Sequence, residues 1–208
     1  EERMISPLIH EMKKSIIDFY GDNPLLSIDL GKIVNNYHFN RLTNLIDMAR
    51  NKNQIFFGGE TSESKCKISP TLAMQNSWED TLMKEEIFGP ILPIITIENL
   101  DNAISKIRNR PNPLAIYMFG GTQKDQENLI SKTNSGGICF NDVVMQAGVP
   151  DLPFGGIGAS GMGKYHGKSG FDTFSHYKSI LKKPFWLDIK FRYPPYKLDI
   201  SFLKNILS

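Results

Sequence analysis

The sequence predicts an α/β fold in which a mainly parallel sheet is flanked by helices. From Pro90 onward, short apolar segments alternate with amphipathic ones in the order strand, helix, strand, helix, strand. Strands that are joined through helices in this way form parallel crossovers. The chain has 208 residues, of which 40% are hydrophobic and 22% charged, so it is long enough and apolar enough to bury one sizeable core.

The first half of the chain is predicted to open with two helices. Apolar residues recur at helical spacing from Met4 until Tyr20 and Gly21, which indicates one amphipathic helix. A second helix is predicted over residues 38–51. The residues expected on or near its apolar face are Phe39, Leu42, Leu45, Ile46 and Met48. Two short extended segments follow, at 54–57 and 67–71, with a polar turn between them.

The second half of the chain carries the alternating pattern. The predicted elements are a strand at 91–97, a helix at 99–110, a strand at 114–119, a helix from 122 to about 134, and a strand at 138–140. Pro111 ends the first of these helices, because its ring cannot continue an α-helix. Thr122 and Asp125 have the spacing of a capping box at the start of the second helix.

The composition excludes several classes of protein. A formal net charge of +2 is too small to indicate a partner such as nucleic acid. No apolar run approaches the roughly 18 to 20 residues that a membrane-spanning helix needs. Two cysteines do not form a disulfide framework, so we expect a reducing compartment, with the cytoplasm as the default.

Residues 148–170 form a glycine-rich loop that resembles two phosphate-binding motifs without matching either context. Gly156, Gly158 and Gly161 have the spacing G-x-G-x-x-G. That motif binds a dinucleotide only between a strand and a helix, and neither is predicted beside it. The stretch also resembles a P-loop, but Tyr165 stands where a serine or threonine is needed to hold Mg²⁺. We therefore reject both interpretations.

Several longer motifs occur in series along the chain. They are E-E-I-F-G-P at 85–90, P-F-G-G at 153–156, G-A-S-G-M-G-K-Y-H-G-K at 158–168, F-D-T-F-S-H at 171–176 and R-Y-P-P at 192–195. In these motifs the chain resembles the aldehyde dehydrogenase superfamily, and in particular the branch that includes fatty aldehyde dehydrogenases. The resemblance covers nearly the whole chain. It implies the carboxy-terminal part of the family's catalytic domain at 1–178, followed by an extended tail at 179–208 that gates the site or contacts another subunit.

The E-E-I-F-G-P motif supplies the cofactor residues that the resemblance implies. Glu86 would accept hydrogen bonds from both hydroxyls of the nicotinamide ribose of NAD or NADP, a task suited to the two oxygens of a carboxylate. Phe88 would pack near the nicotinamide and help to position it for hydride transfer. In the alternative interpretation, Glu86 merely begins a surface turn and Phe88 fills the core.

The segment that follows the last predicted strand is the expected aldehyde side of the site. In α/β sheets ligands bind at the carboxyl ends of strands, where Asn141 is placed. The resemblance implies that Asn141 borders the aldehyde channel, that Val144 and Ala147 form its wall, and that Phe154 stands close to the reacting centre. The alternative that stays open is that Asn141 and Asp142 cap a turn.

The family's mechanism, as the resemblance implies it, needs groups that this chain does not contain. A cysteine thiolate attacks the aldehyde, an asparagine and a backbone N–H hold the oxyanion, and a glutamate activates water to hydrolyse the thioester. All three are expected before Glu1. Cys66 lies in a variable turn and Cys139 in an apolar strand, so neither is predicted to be the nucleophile. His166 and His176 are interpreted as ordering their loops.

We expect the chain to be part of a longer polypeptide, because it begins Glu1-Glu2-Arg3-Met4 without an initiator methionine. The resemblance implies that the parent oxidises aliphatic or fatty aldehydes to carboxylic acids with NAD or NADP. It also implies a homodimer, and peripheral membrane association through the tail, where 198–207 would gate the substrate mouth. Alternatives are a non-catalytic pseudoenzyme that pairs with an intact subunit, or a truncated product that exposes an apolar face and folds poorly.

Overall fold

The computed structural model describes residues 1–188, 190 and 193–195. Arg192 of the R-Y-P-P motif and the predicted gating segment 198–207 lie outside the described residues. The helices are α1 (Glu2–Tyr20), α2 (Asn36–Asn51), α3 (Leu100–Arg108), α4 (Gln123–Lys132) and α5 (Gly167–Thr173). The strands are β1 (Ile55–Phe57), β2 (Thr61–Ser62), β3 (Lys67–Ile68), β4 (Thr71–Gln75), β5 (Ile91–Ile95), β6 (Ala115–Met118) and β7 (Gly137–Phe140). The predicted α/β fold is confirmed.

Helix α2 supplies most of the core. The Asn35 side chain caps it by accepting a hydrogen bond from the His38 N–H at 2.9 Å, which satisfies a backbone donor that the first turn leaves free. The buried residues of the helix are Phe39, Leu42, Leu45, Ile46 and Ala49. Met48, predicted on or near this face, is not part of the core, since its side chain is 48% exposed. It lies on the flank of the buried stripe, and Ala49 takes its place in the core.

Strand β4 is the centre of a three-stranded sheet, with β1 antiparallel on one side and β5 parallel on the other. The sequence predicted one extended segment at 67–71, whereas the structure has two strands, β3 and β4, divided at Ser69 and Pro70. Pro70 has no N–H to give to a ladder, so pairing changes at this point. Thr71 secures the junction, because its hydroxyl donates to the Ser69 carbonyl at 2.7 Å and accepts from the Gly59 N–H at 3.0 Å.

The predicted alternation gives two sheets rather than one. Strands β6 and β7 pair in parallel through α4, as expected for a strand–helix–strand unit. Strand β5 pairs with β4 and, among the described residues, not with β6. The capping box that starts α4 is confirmed, because Thr122 and Asp125 exchange hydrogen bonds through their side chains and backbone N–H groups. The pairing of β5 with β4 could not be predicted from local sequence, because the segment that contains β4 mixes polar and apolar residues.

The described residues after α5 have little regular structure. Residues 175–184 form neither helix nor strand, and the side chains of Ile180, Leu181 and Phe185 are exposed. No helix among the described residues combines the length and apolar character that crossing a bilayer requires.

Candidate functional site

The loop at 84–90 connects the turn after β4 to β5, and Glu86 and Phe88 are among the residues that it exposes to solvent. Glu86 is exposed, and its carboxylate makes no hydrogen bond or ion pair with any residue that the structure describes. Both of its oxygens are therefore open to a ligand. Phe88 is 83% exposed and has a backbone φ of 48°, in the left-handed region that bulky residues rarely adopt. The alternative in which Phe88 fills the core is wrong.

Glu85 and Ile87, which alternate with Glu86 and Phe88, fix the loop. Arg41 of α2 forms an ion pair with Glu85, with Nη1 and Oε1 at 3.3 Å, and its Nη2 donates to the Ile87 carbonyl at 2.5 Å. The Ile87 side chain packs against the core cluster. The Ile87 contact holds the loop backbone directly after Glu86, and the Glu85 contact holds the side chain directly before it.

Gly89 brings the end of the loop into close contact with α2. A Cβ atom at this position would lie 2.5 Å from Cδ2 of Leu42 and 2.6 Å from Cδ1. Only glycine therefore fits without displacing Leu42, which is fully buried. Adjacent residues of one helix, Arg41 and Leu42, thus hold the loop at its middle and at its end.

Asn141 ties together the carboxyl ends of β6 and β7. Its backbone N–H donates to the Met118 carbonyl at 2.8 Å, and its side-chain oxygen accepts from the Gly120 N–H at 2.8 Å. The residue has a φ of 59°, which asparagine tolerates better than most side chains do. Asp142 Oδ1 accepts from the Val143 N–H at 2.7 Å. The amide nitrogen of Asn141 makes no hydrogen bond with any described residue, so it is available to donate to a ligand.

The turn after Asn141 carries the two predicted wall residues. Val144 has a φ of 65° and is 63% exposed, and Ala147 is half-buried in the short 3-10 turn Met145–Ala147. Gln146 holds this turn against β6, because its Nε2 lies 3.1 Å from the hydroxyl of Tyr117. The other amide atom, Gln146 Oε1, is buried with no hydrogen-bond partner among the described residues.

Phe154 is half-buried at the start of the glycine-rich loop. Its backbone pairs with Tyr165 through hydrogen bonds of 2.9 and 3.0 Å, and the two rings meet edge to face at 5.4 Å between centroids. The His166 ring stacks on Phe154 at 6.2 Å, which agrees with its predicted role of ordering the loop. Gly136, just before β7, approaches the Gly155 carbonyl so closely that an added Cβ would lie 2.2 Å from its oxygen. The P-F-G-G loop therefore docks on the edge of β7.

The helix that closes this loop is held by a charged cluster. Asp172 accepts hydrogen bonds from the ammonium group of Lys168 and the hydroxyl of Tyr177. These bonds, that from Lys168 above all, lower the pKa of the Asp172 carboxyl below its ordinary value. The cluster is exposed, and it serves to order α5 beneath the P-F-G-G loop.

The surroundings of the two cysteines are those of structural residues and not of a catalytic nucleophile. Cys66 packs against the core cluster, and its thiol lies 3.7 Å from Oδ1 of Asn36. The neighbouring Lys67 directs its buried ammonium group to the Ser27 carbonyl at 2.6 Å. Cys139 is half-buried within β7. Neither thiol shares a hydrogen bond with a predicted site residue among the described residues.

The structure presents the predicted site residues as two groups. Glu86 and Phe88 precede β5, while Asn141, Val144 and Ala147 follow β7. No hydrogen bond or ring contact joins the groups within the described part of the chain. Sequence reasoning missed Arg41 and Gln146, which fix the two groups. Both make their contacts with residues distant in sequence, and the only local signal for Arg41 is a charge at the edge of a buried helical stripe.

Comparison with known proteins identifies the family. The model described as "Aldehyde dehydrogenase family" matches residues 1–180. The chain belongs to the aldehyde dehydrogenase family, a family of oxidoreductases, and the resemblance found in its motifs is confirmed.

The relatives are longer than this chain. Aldehyde dehydrogenase family 3 member H1 of Arabidopsis thaliana is 44% identical over 189 residues, which cover 91% of this chain and 39% of that protein. The dimeric NADP-preferring aldehyde dehydrogenase of Rattus norvegicus is 43% identical over 190 residues, covering 90% and 41%. The substrate-bound structure of Staphylococcus aureus AldH superposes with a TM-score of 0.86 at 42% identity, covering 100% of this chain and 45% of that one. The chain thus spans about two fifths of the length of its relatives.

Proposed function

We propose that the protein oxidises aliphatic aldehydes to carboxylic acids with NAD or NADP, and that this chain provides the contact to the nicotinamide ribose and part of the aldehyde channel. The observation that carries the proposal is the Glu86 carboxylate, which is exposed and unpaired among the described residues, while Arg41 holds the Glu85 side chain before it and the Ile87 carbonyl after it. An exposed glutamate in a mobile turn would need no such anchors.

The residues of the loop fit a nicotinamide nucleotide. When bound, the cofactor supplies the acceptor for the hydride of the aldehyde. The two oxygens of Glu86 match the two hydroxyls of a ribose and hold the sugar in one orientation. Phe88, whose ring is exposed beside Glu86, offers an apolar surface that would limit the movement of a flat ring system.

The second group of residues fits an aldehyde with an apolar chain. Val144 and Phe154 present apolar side chains, and Ala147 is small enough to leave space beside them. The free amide nitrogen of Asn141 is a hydrogen-bond donor at the end of β7. We infer that these residues form one wall of the channel and that the nucleophile comes from elsewhere in the protein, because neither Cys66 nor Cys139 matches the motif of the family's nucleophile.

The relatives support the remaining parts of the proposal. The name of the rat relative describes a dimeric enzyme that prefers NADP, so we propose a homodimer that accepts NADP as well as NAD. We further propose a cytoplasmic location, because both cysteines are free, with peripheral membrane contact through the tail at 179–208.

The test is the substitution Glu86→Gln in the full-length protein, assayed with NAD and decanal. We expect the KM for NAD to rise about tenfold, because a hydrogen bond to a charged acceptor contributes about 1.5 kcal/mol or more. The KM for decanal should stay within about twofold. Glu63→Gln, which changes an exposed glutamate in the β2–β3 turn, is the matched control.

Equal constants for Glu86→Gln and Glu63→Gln would refute the assigned role of Glu86. A full-length protein that binds neither NAD nor NADP in calorimetry, yet forms a complex with an intact aldehyde dehydrogenase subunit, would favour the pseudoenzyme alternative instead.

A further inference from the structure

Arg41 is placed to control the position of Glu86 without touching a ligand itself. Its guanidinium group contacts Glu85 through one nitrogen and Ile87 through another, so it spans the residue between them. The Arg41 side chain is 22% exposed, whereas that of Glu85 is 59% exposed. In this clamp, the contact with Ile87 therefore lies on the inner side of the loop, and the contact with Glu85 lies at its surface.

We infer that Arg41 is a positioning residue that sets the affinity for NAD or NADP by holding Glu86 in its outward orientation. The inference rests on the proposed function of Glu86. Loss of the clamp would free the backbone at 85–87, and the loop would spend part of its time with Glu86 turned elsewhere. The apparent dissociation constant of a ligand rises in proportion as the fraction of binding-competent protein falls.

The geometry requires the planar fork of an arginine. The two contacts lie on different nitrogens and point to a carboxylate and a carbonyl that belong to residues two positions apart. A lysine ammonium group keeps the charge but acts as a single point on a flexible stem, so it would satisfy one contact at a time. Arg41→Lys is consequently expected to give an intermediate effect, between the native protein and a variant that lacks the charge.

The same helix offers a matched control. Arg50 of α2 also contacts a carboxylate and a backbone carbonyl, with Nη1 2.8 Å from Asp47 and Nη2 2.8 Å from the carbonyl oxygen of Gly59. That carbonyl belongs to the turn after β1 and not to the loop at 84–90. Arg50→Met removes the same type of anchor from the same helix and leaves the surroundings of Glu86 intact.

The experiment measures binding of NAD and steady-state kinetics with decanal in the full-length protein. We expect Arg41→Met to raise the dissociation constant of NAD about tenfold and Arg41→Lys about threefold, if the competent fraction falls to about a tenth and a third. In the two Arg41 variants, the KM for decanal should stay within about twofold of the native value. In Arg50→Met, the dissociation constant of NAD should stay within about twofold of the native value. In the Glu86→Gln background, Arg41→Met should add little, because both changes disrupt one interaction.

The outcomes separate this inference from the function on which it rests. If Glu86→Gln weakens NAD binding while Arg41→Met does not, or if the two effects multiply in full, the inference is overturned and the proposed function stands. If Glu86→Gln has no effect, the proposed function fails and the inference with it. Should Arg41→Met not fold, Glu85→Ala decides the matter, since it removes the acceptor that Arg41 contacts and leaves the contact with the Ile87 carbonyl. A dissociation constant raised about twofold to threefold would then support the clamp, and an unchanged one would refute it.

Discussion

Gly89 lies directly against Leu42, so that a Cβ atom on Gly89 would come within 2.5 Å of a Leu42 methyl carbon. The contact joins the loop that carries Glu86 to the most deeply buried part of α2, where Leu42 is 0% exposed. A loop held in this way has a defined position even though its tip is in solvent. The arrangement resembles a site in which a rigid scaffold presents a few exposed side chains to a ligand.

The contact predicts that Gly89→Ala is destabilising. The added methyl group overpacks the core and should lower the free energy of unfolding by about 1 to 3 kcal/mol. Leu42→Ala, which leaves a cavity, should cost about 2 to 5 kcal/mol alone. In the double variant the new methyl group occupies part of that cavity, so urea denaturation should give a loss smaller than the sum. Strictly additive losses would contradict the contact.

The hydrogen bond between Tyr117 and Gln146 predicts an effect on the aldehyde side only. Tyr117→Phe removes the hydroxyl that holds the turn of Val144 and Ala147, so the KM for decanal should change by about twofold to fivefold, equivalent to about 0.4 to 1 kcal/mol. The KM for NAD should stay constant. Tyr37→Phe, at a tyrosine that is 73% exposed on α2, is the control. Identical constants for both variants would show that the turn does not border the channel.

The contacts of the Asp101 carboxylate predict that the stability of the folded protein depends on pH. The side chain of Asn128 donates to its carboxylate at 3.1 Å and that of Lys132 at 3.4 Å, and these contacts lower the pKa of Asp101 from its ordinary value of 3.8. A carboxyl with a lowered pKa in the folded state stabilises the protein above the unfolded-state pKa, and this contribution is lost as the pH falls through the folded-state pKa.

Asp101→Asn should therefore lower the melting temperature slightly near pH 6, and the difference from the native protein should disappear below the folded-state pKa. Thermal unfolding followed by circular dichroism from pH 2 to pH 7 measures the melting temperatures of the variant and of the native protein. Asp18→Asn, at an exposed residue of α1, is expected to leave the melting temperature unchanged across that range. A pH-independent effect of Asp101→Asn would mean that packing, not charge, links α3 to α4.

The two cysteines predict the behaviour of the chain on its own. Given NAD and decanal, purified residues 1–208 should produce no NADH absorbance above a buffer blank, because neither thiol has the surroundings of an activated nucleophile. Turnover that disappears in Cys66→Ala or Cys139→Ala would reverse this assignment. Circular dichroism of the purified chain is the control, because it shows whether the chain is folded in the assay.

Local sequence patterns predicted most of the elements and the chemistry of the motifs. The apolar spacing of α1 and α2, the capping box of α4 and the short apolar strands β5 to β7 are local features, and each appears within a few residues of its expected place. Strand β2 was missed because it has two residues, and the predicted segment 67–71 reached only the first residue of β4, which mixes Thr71 and Gln75 with apolar residues. The strand character of β4 comes from pairing with β1 and β5, which lie elsewhere along the chain.

The sequence by itself determined the family, the α/β class and the identity of the residues proposed to meet cofactor and aldehyde, because these depend on residue types at fixed spacing. Only the tertiary structure decided that β5 pairs with β4, that Phe88 is exposed rather than buried, and that Arg41 and Gln146 hold the two groups of site residues. Each of these depends on contacts between residues far apart along the chain, and such contacts leave no periodic trace in the sequence.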